Sequence, residues 1–189
     1  MLVASPGTSW ARTIEDYLRA FRDLRPEVRR NALKSEELAK CYSEDLEEGS
    51  CPWSEEDFTR LTSALIRLLS DPEPDIRKDA AQYLISSTDA RATGPLARLL
   101  TDPDDGVRAV AASAFLHIWV HDDAIVGRLE KLLLDRSENV RAGAATSLVL
   151  NGTVTSLERL KEAHDRETNQ DVKKLLADAI KQLAKRTGK

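Results

Sequence analysis

The chain has 189 residues, a length that fits one domain, with 32 acidic residues, 28 basic residues and a formal net charge of −4. This balance argues against a general nucleic-acid-binding protein, which normally presents a basic surface, and nine aromatic residues leave few platforms for stacked bases. No apolar run approaches the roughly 20 residues that span a bilayer, and the first eight residues lack the regions of a signal peptide. We therefore expect no membrane association, a cytoplasmic location and a loose N-terminal tail.

The first predicted unit, residues 9–40, contains two amphipathic helices. Apolar residues of the first helix recur at helical spacing: Trp10, Ile14, Leu18 and Phe21. A second helix follows Pro26 and carries Val28, Ala32 and Leu33 on one face. The unit is a candidate N-terminal repeat.

Residues 41–53 form a divergent, acidic segment. Its acidic residues include Glu44, Asp45, Glu47 and Glu48. Cys41 and Cys51 could form a local disulfide in an oxidising compartment, but without a signal peptide we expect two reduced thiols. Two cysteines with no nearby His make a poor metal site. We expect Trp53 to pin this segment to the first helices.

Four repeats follow over residues 54–187. The signature is an Asp followed five residues later by Val or Ile and then by Arg or Lys; it occurs at Asp71/Ile76/Arg77, Asp102/Val107/Arg108 and Asp135/Val140/Arg141, and in stretched form at Asp165/Val172/Lys173. The apolar anchors Ile76, Val107, Val140 and Val172 are 31, 33 and 32 residues apart. A fixed period in this range predicts a stack of supersecondary units. Such stacks usually bind a partner along one extended face.

Each repeat reads as helix A, a short turn and helix B. In helix B the anchor, a small pair such as Ala111-Ala112 and a large apolar residue at +8 lie on one helical face, and the small pair allows a neighbouring helix to approach closely. Alternating strand patterns of useful length are absent from the sequence. We therefore predict one all-α domain over residues 1–189, a right-handed α-solenoid of about five antiparallel helix pairs.

The paired helices, the Asp and Arg six residues apart across the turn, and the Val-Arg-x-x-Ala-Ala run resemble HEAT repeats over roughly residues 9–185. The short period is most similar to the HEAT-like units of phycobilin lyases. The resemblance implies that the Asp and Arg residues form a ladder between adjacent turns and that the B helices line the concave face. The Arg row could instead track an anion, but we favour the structural role because each Arg comes with an Asp.

The core positions of helix B leave positions near +3, +6 and +10 exposed, and the central part of this stripe is small and neutral. Such a surface suits a protein partner better than a polyanion. The predicted partner-binding residues are Asp79, Gln82, Ala109, Val110, Ser113, His117, Trp119, Ala142, Gly143 and Thr146. Trp119 is either an interface anchor at the rim or a side chain buried against the next helix A. The acidic residues Glu44, Asp45, Glu47 and Glu48 are either a solvated end-cap or a second contact for a basic partner.

Few residues point to chemistry. His117 and His121 are four apart and could share a helix face as a metal or acid–base pair, but a His at a helix C-terminus is already favoured by the helix dipole. We expect no catalytic residues, no metal and no cofactor. The prediction is a non-catalytic protein-binding module, in one specific form a bacterial immunity protein that neutralises a cognate toxin. The alternatives are an adaptor or assembly factor and a HEAT-like enzyme, either a bilin lyase or a DNA glycosylase.

Overall fold

The computed structural model describes residues 13–42, 51, 53–87, 89–120 and 122–189, and these residues form eleven α-helices, one 3-10 turn (Ala90–Ala92) and no strand. The helices are α1 (Ile14–Ala20), α2 (Pro26–Leu33), α3 (Glu36–Cys41), α4 (Glu55–Leu68), α5 (Pro74–Ser87), α6 (Thr93–Leu99), α7 (Asp105–Ala114), α8 (Asp123–Leu132), α9 (Glu138–Asn151), α10 (Val154–Arg166) and α11 (Gln170–Thr187). Within this part of the chain, no helix is both long enough and apolar enough to cross a membrane.

The helices form five A–B pairs, which confirms the predicted α-solenoid. The A helices are α1, α4, α6, α8 and α10, and the B helices are α2, α5, α7, α9 and α11. Each B helix packs against the next one along the stack, from α2 through to α11. The short helix α3 is an additional element that the repeat pattern did not predict. It interrupts the regular alternation between the first and second pairs.

The core follows the predicted face of the B helices. The anchors Ile76, Val107 and Val140 are 0 % exposed, and so are the paired small residues that follow them, such as Ala111 and Ala112. Because an Ala side chain ends at Cβ, the helix backbones can approach closely at these positions, and the large residue at +8 fills the remaining space. The core is consequently one layer that runs continuously between repeats.

Local sequence signals set the helix starts. Thr13 and Asp16 form a capping box at α1, Ser54 and Asp57 form another at α4, and the Asp104 side chain accepts a hydrogen bond from the backbone N–H of Val107 at α7. Such caps satisfy backbone N–H groups that the first helical turn leaves without partners. These three helices therefore begin at defined positions, and in each pair a short turn joins the end of helix A to the start of helix B.

An arginine ladder joins the successive turns. Each ladder Arg donates through Nε and Nη2 to a carboxylate of the next turn and through Nη1 to two backbone carbonyls of its own turn. The rungs are Arg29 with Asp71, Arg77 with Asp102, Arg108 with Asp135, and Arg141 with Glu167. The carboxylates also accept the backbone N–H two residues further on. Each carboxylate therefore stabilises its own turn and also binds that turn to the Arg of the preceding one.

The ladder confirms the structural role of the Arg row and shows that each Arg pairs with the carboxylate of the next turn. The Asp of the same repeat contributes only its backbone carbonyl to the Arg six residues later, while its side chain serves the preceding repeat. Each guanidinium commits four of its five N–H groups, and Arg29, Arg77 and Arg108 are at least nine-tenths buried. A row of arginines committed in this way has little capacity left for an external anion.

The last rung differs from the sequence prediction. The stretched signature placed its acid at Asp165, but the residue that accepts the Arg141 guanidinium is Glu167, at 2.6 and 2.9 Å. Asp165 is exposed and lies 3.3 Å from Nδ1 of His164. The longer Glu side chain, anchored by the N–H groups of Thr168 and Asn169, reaches the same site from a later position in the turn.

The N-terminal end of the stack is held by aromatic residues and a disulfide. Tyr17, Tyr42, Trp53, Phe58 and Tyr83 form a chain of edge-to-face contacts with ring centroids 5.3–5.9 Å apart. This confirms that Trp53 packs on the first helices. The structure overturns the expectation of two reduced thiols, since Cys41 and Cys51 are bonded to each other with their Cα atoms 5.2 Å apart. The bond ties the end of α3 to the approach to α4.

Candidate functional site

The B helices carry a central groove, formed by α5, α7 and α9, with a volume of about 430 Å³. The structure brings seven of the ten predicted partner-binding residues together in its lining: Gln82, Ala109, Val110, Ser113, Ala142, Gly143 and Thr146. Sequence reasoning missed two further lining residues: Ile85, which lies next to the stripe position of Ser86, and Asn139, which lies one helical turn before Gly143. The floor is mostly apolar, because the small side chains leave the helix surfaces open.

Gly143 corrects the expectation of a uniformly exposed stripe. It is buried, and a Cβ atom placed on it would lie 2.8 Å from Oγ of Ser113 and 3.3 Å from the carbonyl oxygen of Ala109. Real Cβ atoms essentially never make a contact of 2.8 Å, and 3.3 Å is already tight, so the glycine permits the close approach of α9 to α7. Its main role is in helix packing, and it reaches the groove only as part of the floor.

Three polar side chains give the central groove its hydrogen-bonding capacity. Gln82, Ser113 and Asn139 come from three successive B helices, and none makes a side-chain hydrogen bond within the part of the chain that the structure describes. Thr146 instead donates its hydroxyl hydrogen to backbone carbonyls of its own helix. A side-chain amide offers a donor and an acceptor together, as a peptide group does. The groove can therefore pair with a polypeptide backbone over an apolar floor.

A second depression, the N-terminal groove, adjoins the central one at Gln82. Its volume is about 530 Å³, and it lies between α5 and the segment that contains the end of α2 and α3. Asp79 and Tyr83 are in its lining. Burial raises the pKa of the Asp79 carboxyl above its usual range, and burial together with the Asp79 charge raises the pKa of Tyr83 to about 12. Of the predicted site residues, Asp79 thus belongs to this groove, which Gln82 shares.

His117 and Trp119 do not line the central groove. Helix α7 ends at Ala114, so both residues lie in the connection to α8, and His117 is not on a helix face. His121 itself lies outside the described residues. Trp119 is 65 % exposed, which excludes the alternative that it is buried against the next A helix.

The connection that carries Trp119 is held by a buried amide. Nδ2 of Asn151 donates to the carbonyl oxygens of Phe115 and Ile118, and its Oδ1 accepts the N–H of Val120. Asn151 is 5 % exposed, so these bonds are formed away from water. They hold the loop, with Leu116 and Trp119 on its outside, in one conformation.

The predicted acidic contact, Glu44, Asp45, Glu47 and Glu48, lies outside the described residues, and the same holds for the N-terminal tail. Elsewhere in the chain, no three His, Cys, Asp or Glu side chains of the described ranges are grouped so that they could hold a metal ion.

Comparisons with known proteins agree on the architecture. A family model described as HEAT repeats matches residues 14–115, and no curated protein matches the sequence. A designed armadillo repeat protein in complex with the peptide (KR)4 superimposes with a TM-score of 0.58 at 21 % identity, covering 88 % of this chain and 80 % of the other. An engineered protein gives a TM-score of 0.63 at 21 % identity over 92 % and 80 % of the two chains.

A natural protein is also among the similar structures. The complex of CpcE and CpcF of phycocyanin lyase from Nostoc sp. PCC7120 matches with a TM-score of 0.57 at 18 % identity, over 88 % of this chain and 96 % of that one. At such identities the likeness concerns the fold.

Proposed function

Because the chain belongs to the HEAT-repeat family, we propose that it is a non-catalytic module that binds a partner protein along its B-helix face. The observation that carries the proposal is the central groove, where Gln82, Ser113 and Asn139 offer uncommitted polar groups above an apolar floor. An extended segment of a partner could lie across α5, α7 and α9 and satisfy its backbone groups there. Trp119, in the loop that Asn151 holds through hydrogen bonds, is a candidate anchor outside the groove.

Site-specific cross-linking tests this proposal. A photoreactive amino acid at Ser113 should cross-link to a polypeptide in extracts of the source organism, because Ser113 is exposed at the centre of the groove. The same group at Ala177, an exposed position on the last helix outside the groove, is the matched control. Equal cross-linking at both positions, or none at Ser113, would reject the central groove as the binding site.

Substitutions give a second test with the identified partner. Ser113→Arg and Thr146→Glu add bulk and charge to a small, neutral lining and should weaken binding at least roughly tenfold, since each leaves a charge that must be desolvated in the complex. Ala177→Arg should leave binding unchanged. Circular dichroism shows whether each variant remains folded. If both groove variants fold and bind normally, the partner uses another face.

The proposed partner is basic, and the specific form of the proposal is a bacterial immunity protein that neutralises a cognate toxin. The net charge of −4 and the acidic residues Glu44, Asp45, Glu47 and Glu48 support a basic partner through electrostatic complementarity. If the neighbouring gene encodes a toxin that arrests growth, co-expression of this chain should restore the growth of the cells that express the toxin. A neighbouring gene without toxicity would leave the adaptor role, which the same groove supports.

The cellular compartment can be measured directly. The sequence predicts the cytoplasm, whereas the Cys41–Cys51 disulfide supports an oxidising compartment, where such bonds persist. Alkylation of free thiols in intact source cells distinguishes the two. Cysteines that resist alkylation because they form a disulfide indicate an oxidising compartment, and cysteines that become alkylated support the cytoplasm.

A further inference from the structure

The N-terminal groove differs in chemistry from the central groove. One wall is the end of α2 and the start of α3, with Leu33, Glu36 and Ala39; the floor is α5, with Asp79 and Tyr83. It therefore combines apolar surface, two tyrosine rings and two carboxylates in a space of about 530 Å³, with the exposed Lys34 as the one cation among its lining residues.

Asp79 is the more buried of the two carboxylates in this groove, since Glu36 is exposed. It is half-buried, and its carboxylate makes no hydrogen bond or ion pair within the described part of the chain. Burial raises its pKa, and the charges of Lys78 and Lys34 offset this only in part. The contrast is Asp75, one helical turn earlier, whose pKa is lowered by its hydrogen bond to Arg30 despite partial burial. A half-buried carboxylate without such a partner costs folding free energy.

A cationic side chain from outside would supply that missing partner. Arg and Lys have long apolar stems that pack along apolar surface while the charged end reaches a polar group. Leu33 and Ala39 provide the apolar surface, Asp79 provides the countercharge, and Tyr83 offers an aromatic ring to a cation. A guanidinium suits this set better than an ammonium, because it can bind a carboxylate in bidentate fashion and stack on a ring.

We propose that the N-terminal groove is the specificity site of the binding surface and holds an arginine side chain of the partner at Asp79. The inference rests on the proposed function, since the partner is the protein that occupies the adjoining central groove. Gln82 lines both grooves, so a segment that crosses α7 and α9 can continue directly to Asp79.

NMR titration of the isotope-labelled full chain tests the arginine site without the natural partner. The probes are two short peptides with blocked termini and no other charged side chain, which differ at one central residue, arginine in one and norleucine in the other. The arginine peptide should shift the amide signals of Ala39, Asp79 and Tyr83 and bind roughly tenfold more tightly than the norleucine peptide, the range of a charge-assisted hydrogen bond. Asp79→Asn should remove this preference.

Thermal stability separates a binding role from a structural one. Asp79→Asn should keep or raise the melting temperature while it weakens the arginine peptide, because the amide is cheaper to bury than the carboxylate. The matched control is Asp178→Asn, which removes an exposed carboxylate of α11 and should change neither quantity. A lowered melting temperature with unchanged peptide binding would show that Asp79 is structural and overturn the inference.

The peptide result is distinguishable from the test of the central groove. Equal affinity of the two peptides, or no shift near Asp79, overturns the arginine site even if Ser113 cross-links to a partner. An arginine preference that depends on Asp79 supports the site even if Ser113→Arg leaves partner binding intact, and then the proposed path across α7 and α9 is wrong.

Discussion

Arg108 binds two successive turns of the stack at once. Its Nη1 donates to the carbonyl oxygens of Asp102 and Pro103 at 2.8 and 3.1 Å, and its Nε and Nη2 donate to the carboxylate of Asp135 at 2.8 and 2.9 Å. One planar guanidinium therefore links its own turn to a carboxylate 27 positions after Arg108 and holds two repeats together. The same geometry recurs at Arg29, Arg77 and Arg141, which makes the ladder the element that sets the regularity of the turns.

Arg108→Ala should destabilise the protein by about 3 kcal/mol, because it leaves the Asp135 carboxylate without its partner in a largely buried site. Chemical denaturation followed by circular dichroism measures the loss. Arg25→Ala is the matched control: Arg25 pairs with Asp23 through an exposed side chain, so its removal should have a much smaller effect. Similar losses for the two variants would contradict the role of the ladder.

The ladder predicts acid sensitivity. Hydrogen bonds from Arg141 lower the pKa of Glu167; burial acts to raise the pKa of Asp135, but hydrogen bonds from Arg108 and the Ser137 N–H outweigh it and lower that pKa. A carboxyl whose pKa is lower in the folded state stabilises the fold above its unfolded pKa, and this stability is lost as the pH falls through the folded value. The melting temperature should be flat from pH 7 to about 5 and fall below about pH 4.

The variant Glu167→Gln checks the cause of this acid sensitivity. The amide cannot titrate, so the melting temperature should be lower at pH 7 but decline less steeply in acid. Asp79 acts in the opposite direction: its raised pKa means that protonation favours the folded state, so Asp79→Asn should steepen the net decline slightly. A decline identical in all three proteins would show that other groups control it.

Reduction of the Cys41–Cys51 bond should loosen α3 and leave the later repeats intact. The bond closes a short loop, with a sequence separation of 10, and its constraint on the unfolded segment is worth roughly 2–3 kcal/mol. Amide hydrogen exchange with and without reductant measures the effect. Exchange should rise at Leu38 and Ala39 and stay constant in α9, and a double Cys→Ser variant should behave like the reduced protein. Uniform acceleration along the chain would mean that the end of the stack and its centre unfold together.

Gly143→Ala should lower the melting temperature although alanine favours helices. The added Cβ would meet Oγ and N of Ser113 at 2.8 and 3.2 Å, and forced overpacking of this kind costs about 1–3 kcal/mol. Gly127→Ala in α8 is the matched control, because no atom lies within 4 Å of its Cβ position, and this variant should gain up to about 1 kcal/mol from helix propensity. A gain at both positions would mean that α9 and α7 have room to separate.

The repeats, the helix faces and the family were predictable from the sequence because they depend on local periodicity. A helix in this stack buries one face. A window of about twelve residues is therefore enough to identify the core positions, which are the anchors Ile76, Val107 and Val140 and the small residues that follow each of them. The exposed stripe follows from the same geometry, which is why the sequence placed seven residues of the central groove correctly in one surface. Spacing of this kind does not depend on which segments meet.

The features that the sequence did not predict all depend on contacts between different segments of the chain. Spacing within one repeat could not show that Arg141 takes Glu167 and not Asp165, since the choice depends on where the next turn lies in space.

The burial of Gly143 depends on a close contact between two helices, and the Cys41–Cys51 bond depends on the additional helix α3. Gly143 is buried because α7 comes close enough to cover it. Cys41 reaches Cys51 because α3, which follows no repeat pattern, folds back toward α4.

The N-terminal groove likewise exists only because α3 lies beside α5. The position of the Asp79 carboxylate in a groove therefore depends on tertiary packing. The sequence by itself determined the unit and the number of times it recurs. The packing of units against one another decided which side chains are already satisfied and which remain available to a partner.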